Sequence, residues 1–466
     1  MNRREFLKTS AITIASTSTL LSACRSKKES SDKTDRIDGL GKMTYRYNPN
    51  NGDKVSLLGF GMMRLPIVGG GSARENPDAE IDQEAVNTMV DYAIEHGVNY
   101  FDTSPAYCQG RSEQSTGIAL SRHPRNHYYI ATKLSNFSPS TWSKVDSRQI
   151  FENSLKELQV SYVDYLLLHG IGMSAPDKDA MTAFKGRYID NGMLDWLVEQ
   201  KQKGRIRNLG FSYHGDISVF NMLLKWHDEG KYHWDFVQIE LNYLDWRYAN
   251  EINPRNTDAE YLYAELEKRG IMSVIMEPLL GGKLAYQPEN IMLQMKSREP
   301  QSSAARWALR YAGTPEKVLT VLSGMNSMDH LIENVDTYSP LRPINEEENR
   351  FLLNLAEDLY NLKTIPCTAC NYCMPCPYGL NIPLIFAYYN RCMTDGGLSM
   401  PDDPSNKDFL RLRKKFLLGY DRNLSRYRQA DHCIGCNHCV AHCPQQISIP
   451  EEMHRINKFV EQLKQA

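Results

Sequence analysis

The chain has 466 residues, too many for one ordinary domain and enough for a large domain plus a smaller one. Its 54 lysines and arginines against 56 aspartates and glutamates leave a net charge of −2, without the basic excess that marks a nucleic-acid binder. Hydrophobic residues make up 41% of the chain, enough for real cores, and no apolar run is long enough to span a bilayer as a mature helix.

The N-terminus reads Asn2-Arg3-Arg4-Glu5-Phe6-Leu7-Lys8, then a mildly apolar stretch to Leu21. A charged start followed by a short, weakly hydrophobic segment is the pattern of a signal peptide. The Arg3-Arg4 pair with Phe6-Leu7-Lys8 resembles the twin-arginine export signal. Leu21-Ser22-Ala23-Cys24 resembles a bacterial lipobox, whose cysteine becomes the lipidated first residue; an incidental cysteine in an ordinary signal is the alternative. Together they imply a membrane-anchored lipoprotein facing the periplasm or another extracytoplasmic space, with residues 25–42 as a flexible tether. The twin-arginine route resembles one used by proteins folded before export, often with a cofactor in place. Export then need not mean that the cysteines form disulfides.

From 43 to 345 short apolar runs alternate with amphipathic segments. Strands are expected at Val55–Gly61, Val98–Thr103, Tyr128–Leu134, Val163–His169, Ile206–Ser212, Phe236–Leu241, Met272–Glu277 and Val318–Ser323. One helix is expected over Gln83–His96, with Val86, Met89, Val90, Ala93 and Ile94 on one face and Gly97 as its stop. Eight strands, each followed by a helical segment, point to an α/β fold of the (β/α)8 TIM-barrel class. A doubly wound open sheet is the alternative, but Gly59-Phe60-Gly61 lacks the third glycine of a dinucleotide turn and opens no helix.

Barrel chemistry sits where strands end at the C-terminal face. Asp102 closes the second expected strand, Lys133 the third and His169 the fourth, and Tyr107 follows Asp102 on the loop. Singly these read as a helix cap, a solvated lysine, a core histidine and a packing tyrosine. Four of them at matching ends are harder to dismiss. With Gly59-Phe60-Gly61-Met62, Phe101-Asp102-Thr103, Ala131-Thr132-Lys133, Leu167-Leu168-His169, the run Gly204 to Ser212, and Glu333-Asn334, the segment resembles the aldo-keto reductase family.

That resemblance implies a catalytic tetrad of Asp102, Tyr107, Lys133 and His169. Carbonyl reduction puts a hydride on carbon and a proton on oxygen. A free tyrosine, with a pKa of about 10, holds its proton too tightly for an ideal acid. Lys133, charged and held by Asp102, is expected to lower it, and His169 to orient the substrate oxygen. Cys108, beside Tyr107, is expected to be a small loop residue rather than a redox-sensitive thiol.

The resemblance also implies nicotinamide contacts at Ser212 and Gln238 and cofactor contacts at Gly324, Glu333 and Asn334. Other positions depart from the family pattern. Tyr213 stands where an asparagine is usual, Met276 where an aromatic stacks on the nicotinamide, and Gly324 and His330 where Lys and Arg pair with the NADP phosphate. NAD(P) is therefore expected without an NADP preference. A backbone phosphate cradle at Gly324 needs only an exposed amide.

Residues 346–466 change character. A helix over Glu346–Leu362 leads into Cys367-x2-Cys370-x2-Cys373-x2-Cys376-Pro377, and later Cys433-x2-Cys436-x2-Cys439-x3-Cys443-Pro444. The second run has bacterial ferredoxin spacing, whose fourth cysteine serves the other cluster. Structural zinc and disulfides fit three evenly spaced cysteines plus Cys-Pro poorly. By analogy with ferredoxins, one 4Fe-4S cluster uses Cys367, Cys370, Cys373 and Cys443, and the other Cys433, Cys436, Cys439 and Cys376. The first run has two residues, not three, before its last cysteine. Cys392 is expected to be a non-ligand.

Three functions remain in view. One is an exported oxidoreductase acting on a small carbonyl or alcohol, exchanging electrons with a partner protein or quinone-linked donor through its clusters. Another is an NAD(P)H-dependent reductase with structural clusters. The last is a non-catalytic electron-transfer or binding subunit.

Overall fold

Eight of the chain's short apolar runs close on themselves as a parallel barrel. The structure, a computed structural model, describes residues 42–362, 364–396 and 406–465. The Arg3-Arg4 signal and Cys24 lie outside the described residues. Strands β1 (Tyr45–Tyr47) and β2 (Lys54–Ser56) form an antiparallel pair in the register Tyr45 to Ser56. The barrel follows: β3 (Leu58–Gly61), β4 (Tyr100–Asp102), β5 (Tyr129–Leu134), β6 (Val163–Ile171), β7 (Ile206–Tyr213), β8 (Phe236–Glu240), β9 (Met272–Met276) and β10 (Val318–Ser323), with β10 closing onto β3.

The expected strand Val55–Gly61 is thus two. The break at Leu57 lets Lys54–Ser56 pair with β1 while Leu58–Gly61 enters the barrel. Strand β6 is buried along its whole length, as a parallel strand covered by helices must be. Tyr100, Tyr165, Phe236, Val274 and Leu319 fill part of the interior, so the barrel is packed rather than hollow.

The helix Gln83–Glu95 shows why the surrounding layer forms where it does. Asp82 caps it by accepting from the Ala85 amide, and Val86, Met89, Val90 and Ala93 face the barrel side as buried residues. Gly97, at φ +88°, turns the chain out, its amide donating to the Ile94 carbonyl.

The barrel and the cysteine-rich segment belong to one compact unit, Gly41–Ala466. After the helix Glu346–Asn361, the helices Ile382–Gly396, Lys407–Asn423 and Ile449–Gln465 share a core that includes Ile385, Phe386, Phe416, Tyr420, Met453 and Ile456. The same core takes in Cys373, Cys376, Cys433, Cys439 and Cys443. The cysteine loops reach the barrel directly. Gln445 Nε2 donates to Glu240 Oε1 at 2.6 Å, Lys283 Nζ to the Ile365 carbonyl at 3.0 Å, and Asn253 Nδ2 to the Gln445 carbonyl. No helix among the described residues is long and apolar enough to cross a membrane.

Candidate active site

The C-terminal parts of β4, β5 and β6 bring Asp102, Lys133 and His169 together, and the loop after β4 adds Tyr107. Lys133 Nζ lies 2.5 Å from Asp102 Oδ1 and donates to the Thr103 carbonyl at 2.9 Å. Both side chains are almost fully buried. Burial works against both charges, raising Asp102 and lowering Lys133, and each charge opposes the shift in its partner. The second Asp102 oxygen, Oδ2, is buried without a hydrogen-bond partner.

Lys133 Nζ sits 4.8 Å from the Tyr107 ring centroid, over the ring. The sequence reading has Lys133 lowering the tyrosine's pKa. The structure differs. Burial first, then the Asp102 charge, holds the Tyr107 phenol well above its ordinary range. The phenol is buried and the Asp102 carboxylate adds to the shift, while the Lys133 ammonium donates to Asp102 and the Thr103 carbonyl. In this state Tyr107 is a firmly protonated acid.

His169 stands edge-on to Tyr107, ring centroids 5.9 Å apart. Its Nδ1 lies 2.6 Å from Ser135 Oγ and 3.3 Å from Ser104 Oγ. Burial, then the charges of Lys133, His214 and Arg187, hold its pKa well below the ordinary value, so the ring is neutral at pH 7. A one-turn π-helix, Lys185–Ile189, supplies the support beneath it. Arg187 donates to the His169 carbonyl at 2.5 Å, and the His169 amide donates to Tyr188 Oη at 3.1 Å.

A cavity of about 350 Å3 opens above these residues. Asp102, Tyr107 and His169 line it, as do Gln238, Gly324, Glu333 and Asn334. Gln238 Oε1 is buried and unpartnered, while its Nε2 faces the Met276 sulfur at 3.3 Å. An orphaned amide oxygen in this wall fits a carboxamide such as that of nicotinamide. Asn334 instead donates to Ser323 Oγ at 2.9 Å, and Glu333 accepts from Ser303 Oγ. Ser212 is outside the residues lining the cavity; its Oγ accepts from the Gly170 amide at 2.9 Å. Cys108 is buried at φ 51°, and burial pushes its thiol up to about 11, which makes it unreactive.

Several lining residues escaped the sequence reading. Arg64 runs across Gly324, where a Cβ would meet its Cδ at 2.8 Å. It brings a guanidinium to the region where the count after β10 found no cation. Its signal, an arginine three residues past a strand end, is too common to single out. Cys370 and Tyr372 of the first cysteine run, and Pro444 and Gln445 after the second, also form the wall. Tyr372 meets Phe137, ring centroids 6.4 Å apart.

The two cysteine runs share a backbone pattern. Left-handed residues stand two positions after the first cysteine and one after the second: Ala369 and Asn371, then Gly435 and Asn437. Gly and Asn are the residues that tolerate this best. The runs therefore match up to their third cysteine, and the shorter spacing in the first run begins only beyond it. Burial first, then the Cys370, Cys367, Cys443 and Cys439 charges, raise Cys373. Cys443 responds, after burial, to Cys370 and Cys367, whereas Cys439 responds to Cys433, Cys436 and Cys376. Cys373 feels thiols of both runs, so the two runs lie side by side. No three His, Cys, Asp or Glu side chains among the described residues converge on a single metal ion. A cubane cluster asks for something else, because each thiolate takes a different iron; two sets of four soft donors fit it.

A model described as "Aldo/keto reductase family" matches residues 57–352, and one described as "4Fe-4S dicluster domain" matches residues 366–449. L-galactose dehydrogenase of Arabidopsis thaliana is 27% identical over 323 residues, covering 66% of this chain and 92% of that protein. The NADH-specific methylglyoxal reductase of Escherichia coli is 25% identical over 312 residues, covering 60% and 89%. The fold matches a solved aldo-keto reductase from Bacillus halodurans at a TM-score of 0.51 and 24% identity, covering 67% of this chain and 96% of that one.

Proposed function

Because this chain belongs to the aldo/keto reductase family and is an oxidoreductase, we propose that it interconverts a small carbonyl compound and its alcohol, exchanging electrons with a redox partner through two C-terminal 4Fe-4S clusters. One observation carries the reading. The cavity wall that holds Asp102, Tyr107 and His169 also includes Cys370 and Tyr372 of the first cysteine run.

Tyr107 gives its proton to the carbonyl oxygen during reduction and takes it back during oxidation. Neutral His169 orients that oxygen by hydrogen bonding. The Asp102–Lys133 pair fixes the floor on which Tyr107 rests. Gln238 anchors the carboxamide of a nicotinamide, and Arg64 supplies positive charge near Gly324. A bound nicotinamide would supply the hydride, and the clusters would pass its two electrons singly to or from the partner. The name of the Escherichia coli relative, an NADH-specific enzyme, supports NADH over NADPH as the nicotinamide used here.

The twin-arginine and lipobox patterns support export and a lipid anchor at Cys24. An extracytoplasmic enzyme without a free nicotinamide pool needs an electron route such as the clusters.

The test is anaerobic purification of the signal-free chain, with iron content, EPR and bound nicotinamide measured. Carbonyl reduction is then compared with NADH, NADPH and a low-potential dye. Dye-driven turnover that disappears with the clusters and in Tyr107→Phe is expected. Turnover on free NAD(P)H that is indifferent to cluster loss would make the clusters structural. Membrane release on Cys24→Ala and cytoplasmic retention on replacing Arg3-Arg4 by Lys-Lys test the location.

A further inference from the structure

Arg74 lies on the loop after β3, and its side chain crosses to the first cysteine run. It is 6% exposed. Its Nε donates to the Ala369 carbonyl at 2.5 Å, and its own carbonyl accepts from Asn371 Nδ2 at 2.5 Å. These two bonds tie Arg74 to residues on either side of Cys370. Its terminal nitrogens, Nη1 and Nη2, are buried and have no hydrogen-bond partner among the described residues.

A guanidinium cannot shed its proton to escape burial, so an unspent one is costly unless negative charge faces it. The neighbouring cations have other engagements. Lys283 gives its ammonium to the Ile365 carbonyl and Thr364 Oγ1. Arg64 lines the cavity and is repelled by Arg74. Of the groups that share the cavity wall with Arg74, Glu75 accepts from the Ser72 amide and Glu277 from the Gly281 amide, and Cys370 stands between the two residues to which Arg74 is tied.

We propose that Arg74 is a positioning residue of the cluster held by Cys367, Cys370, Cys373 and Cys443, its unspent N–H donors serving that cluster's thiolates and sulfides and raising its reduction potential. The inference rests on the two-cluster reading above. One-electron reduction breaks no bond and adds one negative charge to an already anionic group. Burial opposes that charge, and a fixed cation with free donors favours it. Arg74 therefore keeps the cluster beside the cavity reducible where water does not reach it.

The test is an EPR-monitored redox titration of the full chain carrying both clusters, with dithionite as reductant, for wild type, Arg74→Gln and Arg74→Lys. In Arg74→Gln one midpoint falls enough to change the reduced-to-oxidised ratio at least about tenfold, about 59 mV for a one-electron couple. The other midpoint stays, and Arg74→Lys retains most of the potential. Cys370→Ser alters the same signal that moved. Unchanged midpoints with both clusters present, or equal shifts at both, overturn the proposal. Should Arg74→Gln lose the cluster, Arg74→Lys and Asn371→Ala decide. Retention of the cluster in both supports the proposal, and loss in either reduces Arg74 to a loop tie and overturns it. Absence of any cluster signal in the wild type sinks the two-cluster reading instead.

Discussion

Gly281, on the loop after β9, lies so close to the first cysteine run that a Cβ there would fall 2.7 Å from the Thr368 Cα. No real Cβ approaches another backbone that closely. The contact sets how near the cysteine loop comes to the barrel mouth, and so whether Cys370 and Tyr372 can share the cavity. Gly281 also holds φ +68°, which a side chain adopts only under strain.

Gly281→Ala is expected to combine that strain with a backbone clash, costing about 2–4 kcal/mol. It should also lower bound iron by displacing the cysteine loop. Gly282→Ala, at φ +97° but with open space around it, is the comparison. It should lose stability without losing iron. Thermal melting and iron analysis read the two effects separately.

Asp102→Asn removes the partner of a fully buried ammonium. The stranded Lys133 should destabilise the fold by about 3–5 kcal/mol. Replacing both, as Asp102→Asn with Lys133→Met, should recover much of the melting temperature and none of the activity. A double variant no more stable than the single would show that the pair is not what holds this floor.

Tyr107 is held well above the ordinary phenol range by burial and the Asp102 charge. Carbonyl reduction needs the protonated phenol, so its rate should stay flat as pH rises to about 9. Alcohol oxidation needs the phenolate, and its rate should climb across the same range. Tyr107→Phe should cost about 10²–10⁴-fold in both directions, measured as kcat/KM. A reduction rate that falls from pH 7 would place the phenol much lower than the geometry does.

Glu113 tests the pH dependence of stability. Burial, opposed by the bond it accepts from Thr132 Oγ1, raises its carboxyl to about 7. A raised folded pKa stabilises below the unfolded value, near 4.5, and that contribution is lost as pH rises through about 7. Glu113→Gln should therefore melt at nearly the wild-type temperature at pH 4.5 and above it at pH 8, by the equivalent of a few kcal/mol. Circular dichroism melts at the two pH values are the measurement.

Much of this protein was legible in its sequence. The alternation of apolar runs specified a closed parallel barrel, because eight strands buried on both faces have few other ways to be covered. The strand-end positions of Asp102, Lys133 and His169 followed from the same periodicity, and the cysteine spacing from the reach of thiolates around a cluster. The other strands differ from expectation by at most a residue or two at an end, whereas the split at Leu57 came from a continuous apolar run whose pairing partners differ on its two sides.

What the sequence could not decide were distances between segments far apart in the chain. Arg64 over Gly324, Gln238 beside Met276, and Arg74 tied across Cys370 each join residues whose spacing carries no local pattern. The protonation of Tyr107 depended on them too. The family resemblance implies a lysine beside the tyrosine, but burial and the Asp102 charge, which only the packing creates, decide the state of the phenol. Local periodicity determined the barrel and the cluster runs. Only tertiary packing, through glycines that let backbones touch, put the two around one cavity.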